Sequence, residues 1–99
     1  MGIRHVVMVK FKDEATDEQR QAAVDALLGL EGIVPGMRSF SAGLDLGIDS
    51  SYGIGLVADF DDVDAFNAYM AHEEHKRVGA EYLAPIANGS AIVQYAVEP

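Results

Sequence analysis

Six apolar stretches follow one another along this chain with spacings of two, 3.6, two, two, 3.6 and two residues, and that order leaves few ways to fold. Over residues 3–12, Ile3, His5, Val7, Val9 and Phe11 alternate with Arg4, Val6, Met8, Lys10 and Lys12, the pattern of a strand. Thr16-Asp17-Glu18-Gln19 has the form of a capping box. It opens a helix with Ala23, Leu27 and Leu30 on one side, widened by Val24 and Leu28, that is expected to end near Gly32. After Val34-Pro35-Gly36, residues 37–43 read as a second strand, and 43–51 have the composition of a mobile loop. A third strand follows at 52–60, with Tyr52, Ile54, Leu56, Ala58 and Phe60 on one face. Gly53 and Gly55 fall on its other face, where a close neighbour is expected. Asp62 caps a second helix striped by Val63, Phe66, Tyr69 and Met70. Helical character resumes over 73–83, and Pro85 and Asn88-Gly89 close it before a last strand at 90–97.

This β-α-β-β-α-β order predicts an α+β, ferredoxin-like fold: a four-stranded antiparallel sheet with both helices on one face, in a single domain over residues 1–99. The other sheet face should then be polar, and it is not. Strand one places Val6 and Met8 there, strand three Val57. The last strand is apolar on both sides, with Ala91, Val93, Tyr95 and Val97 on one and Ile92 and Ala96 flanking Gln94 on the other. An exposed apolar face of this kind marks an interface, and closing it on a second copy gives a two-fold homodimer with its sheets face to face.

Charge and composition narrow the partners. Seven basic against sixteen acidic residues give a net charge of −9, which repels a nucleic-acid backbone and favours solubility. No run reaches the ~20 apolar residues of a membrane span, and no signal peptide is expected. The absence of cysteine rules out disulfides and thiol catalysis and fits a reducing, cytoplasmic setting.

His5-Val6-Val7-Met8-Val9-Lys10-Phe11-Lys12, Ile33-Val34-Pro35-Gly36-Met37 with Gly43, Val57-Ala58-Asp59-Phe60, and Phe66-Asn67-Ala68-Tyr69 leading into His72-Glu73-Glu74-His75 together resemble the stress-responsive dimeric α/β barrel (Dabb) family. The resemblance runs through the whole chain and implies ferredoxin-like subunits that pair through their sheets into a barrel. Within that family the chain is similar to polyketide cyclases of the olivetolic acid cyclase type. That similarity implies a tyrosine and a histidine, here Tyr69 and His75, closing a polyketide by aldol chemistry without metal or cofactor. His5 and His72 match further histidines of the pattern. Ile54 stands where those cyclases carry a pocket histidine, and Glu73 where the family motif commonly has proline.

The residues offer acid–base chemistry in their own right. Imidazole, with a usual pKa of about 6.5, exchanges protons near neutrality. A phenol can donate to a carbonyl oxygen as negative charge develops there. Tyr69 and His75 are six apart, about 120° out of alignment at 100° per residue. They meet only if the helix bends or unwinds near residues 71–73, and His72 is three from each. In this reading His75 removes a proton alpha to a carbonyl, Tyr69 steadies the enolate, and His5 donates a hydrogen bond or aligns the base. The pocket is expected between helices and sheet, lined by Val7, Val9, Phe40, Ile54, Leu56, Phe66, Val78 and Leu83, and fitted to a small hydrophobic carbonyl or aromatic ligand. The competing assignments are a core role for Tyr69, a helix-end role for His72 and a hydrogen-bonded core role for His5. His72 and His75 are three apart, not the four of the H-E-x-x-H motif, so no metal is expected. Two functional classes follow: a cofactor-independent acid–base enzyme, or a non-catalytic stress-responsive dimer that is structural or carries a ligand.

Overall fold

A computed structural model describes residues 1–98. Its elements are β1 (Gly2–Phe11), α1 (Asp17–Leu28), β2 (Met37–Leu44), β3 (Ile54–Phe60), α2 (Val63–Ala71), α3 (Glu73–Val78) and β4 (Ala87–Val97), with a wider π-helical turn, Gly79–Leu83, following α3. The strands form one antiparallel sheet in the order β2-β3-β1-β4, the ferredoxin-like arrangement expected.

Local chemistry sets most boundaries. Thr16 Oγ1 accepts from the Gln19 amide at 3.1 Å while Gln19 Oε1 accepts from the Thr16 amide at 2.9 Å, so the capping box is closed. Asp62 Oδ1 accepts from the Ala65 amide at 2.9 Å and caps α2. The first helix stops at Leu28 rather than Gly32. Leu30 donates back to the Leu27 carbonyl at 2.9 Å and turns its side chain into the core, which uses the last apolar residue of the stripe outside the helix.

The core lies between the sheet and the helical layer. Ile3, Val9, Phe40, Ile54, Leu56, Ala58 and Phe60 pack from the strands against Ala23, Val24, Leu27, Tyr69 and Val78. The close neighbour expected at the strand-three glycines is found at Gly53 alone. The Phe11 ring lies over it, so a Cβ at that position would run into the ring, whereas Gly55 faces open space. Asn88-Gly89 does not end the helical segment but lies inside β4. Between the Val9–Ser90 and Phe11–Ala87 pairs β4 holds one residue more than β1, a bulge that Gly89 accommodates at φ +100°.

On the far side of the sheet, Arg4 and Asp59 are cross-strand partners joined by two hydrogen bonds of 2.8 and 2.9 Å. Hydrogen bonding to Arg4 holds the Asp59 carboxyl below its usual range. Around this pair the face is apolar and unprotected: Met8, Val57, Val93 and Tyr95 are exposed by 39, 37, 54 and 47%. No helix of the described residues is long and apolar enough to cross a membrane.

Candidate active site

The helical layer breaks at one residue. His72 adopts an extended conformation, φ −66° and ψ 137°, ending α2 and starting α3. Its Nδ1 accepts from the Glu74 amide at 3.1 Å, an N-cap interaction that takes up one of the free amides at the start of α3. The break turns α3 relative to α2 and removes the mismatch of a continuous helix. The rings of Tyr69 and His75 come within 4.6 Å between centroids.

His5 approaches from β1. It is 3% exposed, its ring centroid 6.3 Å from that of Tyr69 and 5.2 Å from that of Phe66. Its β4 cross-strand partner is Gln94, whose Nε2 lies 3.0 Å from His5 Nδ1. Gln94 is the neighbour of the candidate site that the sequence did not single out. The available signal was a lone amide between Ile92 and Ala96 on the face that β4 shares with a strand histidine.

These three side chains line a hollow of about 360 Å3 between sheet and helices, within the usual range for a small-molecule site. Its walls include Val7, Val9, Ile54, Leu56 and Leu83, as expected, together with Leu27, Met70 and Gly79. It reaches the surface along β4, beside the exposed Gly89, Ser90 and Ile92. Phe40, Phe66 and Val78 stand outside the lining. Phe40 packs edge-on to Tyr69, Phe66 sits between His5 and Phe60 with its ring tilted to the first and edge-on to the second, and Val78 is fully buried, so all three close the core around the hollow instead. His72, capping α3, is also outside it. A larger cleft of about 730 Å3 lies between α1 and the 45–53 loop, but it is shallow and brings acids and Arg20 together without an imidazole.

Burial tunes every titratable group in the hollow. Desolvation, with the adjacent His75 second, brings His5 down to about 4. Desolvation also lowers His75, whose Nδ1 is shut off from solvent with no hydrogen-bond partner; the Met70 backbone pulls the other way without closing a bond to that nitrogen. Burial pushes the Tyr69 hydroxyl up to about 12. At neutral pH the hollow therefore holds two uncharged imidazoles and a phenol, and none of its lining residues is charged.

The His5 shift makes stability depend on pH in a defined window. The folded state keeps this imidazole neutral down to about 4, while the unfolded chain takes up its proton near 6.5. Stability is then full above pH ~6.5 and falls as pH drops towards 4, by up to about 3 kcal/mol. Lower still, both states are protonated and this loss levels off. Urea unfolding between pH 7.5 and 4 should show that slope, and a His5→Gln variant should lose most of it. Asp59, lowered rather than raised, contributes only where pH falls through the carboxylate range.

Comparison with known proteins agrees with this architecture. Residues 3–97 match the model of the stress-responsive A/B barrel domain. The chain is 27% identical over 85 residues to olivetolic acid cyclase of Cannabis sativa, covering 83% of this chain and 84% of that one. A dimeric ferredoxin-like protein of unknown function from Thermobifida fusca superposes with a TM-score of 0.90 at 34% identity, covering 98% of this chain and 92% of the other. Hydroxynitrile lyase from Passiflora edulis shares the fold, with a TM-score of 0.82, 19% identity, and coverage of 98% and 94%. With residues 3–97 matched, nearly its whole length, the chain belongs to the stress-responsive A/B barrel (Dabb) domain family.

Proposed function

We propose that this protein is a homodimeric, cofactor-independent acid–base enzyme acting on a small, uncharged, mostly apolar carbonyl compound. The observation that carries this reading is the Tyr69–His75 contact at 4.6 Å on the wall of an apolar hollow of about 360 Å3. In the reaction, His75 removes a proton alpha to the carbonyl. A neutral imidazole is the competent form of a general base, and lowering its pKa keeps it in that form. Tyr69 donates to the carbonyl oxygen as enolate charge develops, and burial that disfavours a phenolate keeps its proton in place until then. His5 supplies a second donor through Nε2. The enolate then attacks a second carbonyl or is reprotonated. The similarity to olivetolic acid cyclase supports ring closure of a polyketide-like chain as the productive outcome. Ile54 makes the hollow more apolar than a histidine there would, which favours a different, less polar substrate.

The test is exchange of alpha hydrogens for deuterium, followed by NMR in D2O over a panel of aryl methyl ketones and polyketide-like compounds. Exchange that depends on His75 supports the enzyme. Tight binding with no exchange supports the second reading, a ligand-carrying dimer; for that reading the specific observation is the lack of any carboxylate in the hollow to orient His75.

The dimer forms through the open sheet face, in keeping with the dimeric Thermobifida fusca protein. Each apolar side chain buried there contributes about 1.5–3 kcal/mol before association costs. Val93→Glu places an unpaired charge on that face, beside Val6 of β1. It should yield a monomer by sedimentation at micromolar concentration, and a variant that remains dimeric would place the interface elsewhere.

A further inference from the structure

Gln94 and His5 form a lone polar pair in an otherwise apolar strip. In the β1–β4 register the neighbouring pairs on that face are Ile3–Ala96 and Val7–Ile92. Arg4–Asp59, another polar cross-strand pair, lies on the opposite face. A buried imidazole is neutral only as one of two tautomers, and the group bonded to one nitrogen decides which. Here Nδ1 is 3.0 Å from the Gln94 amide nitrogen, which can only donate. That arrangement matches a ring whose Nδ1 is bare. A carboxylate in place of Gln94 would draw the proton to Nδ1 and favour an imidazolium in a hollow that has no other charge. The Tyr69 ring neighbours both imidazoles, 6.3 Å from His5 and 4.6 Å from His75 between centroids.

We propose that Gln94 is a positioning residue: its amide nitrogen holds Nδ1 of His5 and so keeps the ring proton on Nε2, where it serves as a hydrogen-bond donor to a ligand oxygen in the hollow. The catalytic consequence rests on the acid–base reading above, whereas the tautomer is argued from the Gln94–His5 contact. The division of labour is then complete among uncharged groups, with His75 accepting a proton, Tyr69 and His5 donating hydrogen bonds, and an amide rather than an acid directing His5.

Long-range proton–nitrogen NMR on the intact 15N-labelled protein at pH 7.5 reads the tautomer directly. The expected spectrum has a protonated Nε2 and a bare Nδ1 at His5. Gln94→Glu should reverse the two or protonate both, and Gln94→Leu should give a mixture. A wild-type His5 protonated at Nδ1 would overturn the proposal, as would both variants keeping the wild-type pattern. Because the wild-type spectrum decides the first point, a misfolded variant does not remove the test. With acetophenone as probe, Gln94→Leu should slow deuterium exchange about fivefold, the worth of one hydrogen bond, with KM nearly unchanged. If wild-type protein fails to exchange any ketone while the tautomer is as stated, the acid–base reading fails and the role of Gln94 in orienting His5 survives.

Discussion

Replacing His75 with alanine should reduce alpha-hydrogen exchange about 10²–10⁴-fold, the range that a positioned general base contributes. The fold and the dimer should persist. His75 is only partly buried, its Nδ1 forms no hydrogen bond, and the open sheet face lies on the other side of the molecule. Circular dichroism, sedimentation and exchange rate measured on one preparation separate the two effects. A variant that loses the dimer along with turnover would make His75 a structural residue. One that keeps both would leave the proton transfer to another group.

Tyr69 should divide its roles between two substitutions. It is 1% exposed and contacts Phe40, Phe60, His5 and His75, so Tyr69→Ala empties the centre of the core. A loss of about 3–5 kcal/mol is expected, as for other large aromatic truncations, measured by urea unfolding. Tyr69→Phe preserves that packing and removes only the hydroxyl. Its stability should stay within about 1 kcal/mol of the parent, while exchange falls by about 10²-fold, as when one donor to a developing oxyanion is lost. Equal activity in Tyr69→Phe and the parent protein would confine Tyr69 to packing.

The strand and helix order was legible because each element carries its period openly, from the alternation of Ile3 to Phe11 to the Asp62 cap and Phe66–Tyr69 stripe. The family was legible from the motifs quoted above, and the match over residues 3–97 bears that out. The site was partly legible. A 120° mismatch between Tyr69 and His75 pointed to a break at 71–73, and the extended His72 supplies it. Other features were hidden for physical reasons. Periodicity says which face a side chain takes but not where the helical layer leaves a gap, so Phe40, Phe66 and Val78 read as pocket wall although they fill the core. The bulge at Gly89 is invisible to a pattern that counts residues in one strand at a time. The pairing of Gln94 with His5 needs the register of two strands 89 residues apart, which neither segment states alone.

The extended residue at His72 also makes a hinge-like corner between two rigid helices. Phenol and imidazole stand on opposite sides of it, Tyr69 on α2 and His75 on α3, so the angle of that corner alone sets how closely the two rings approach.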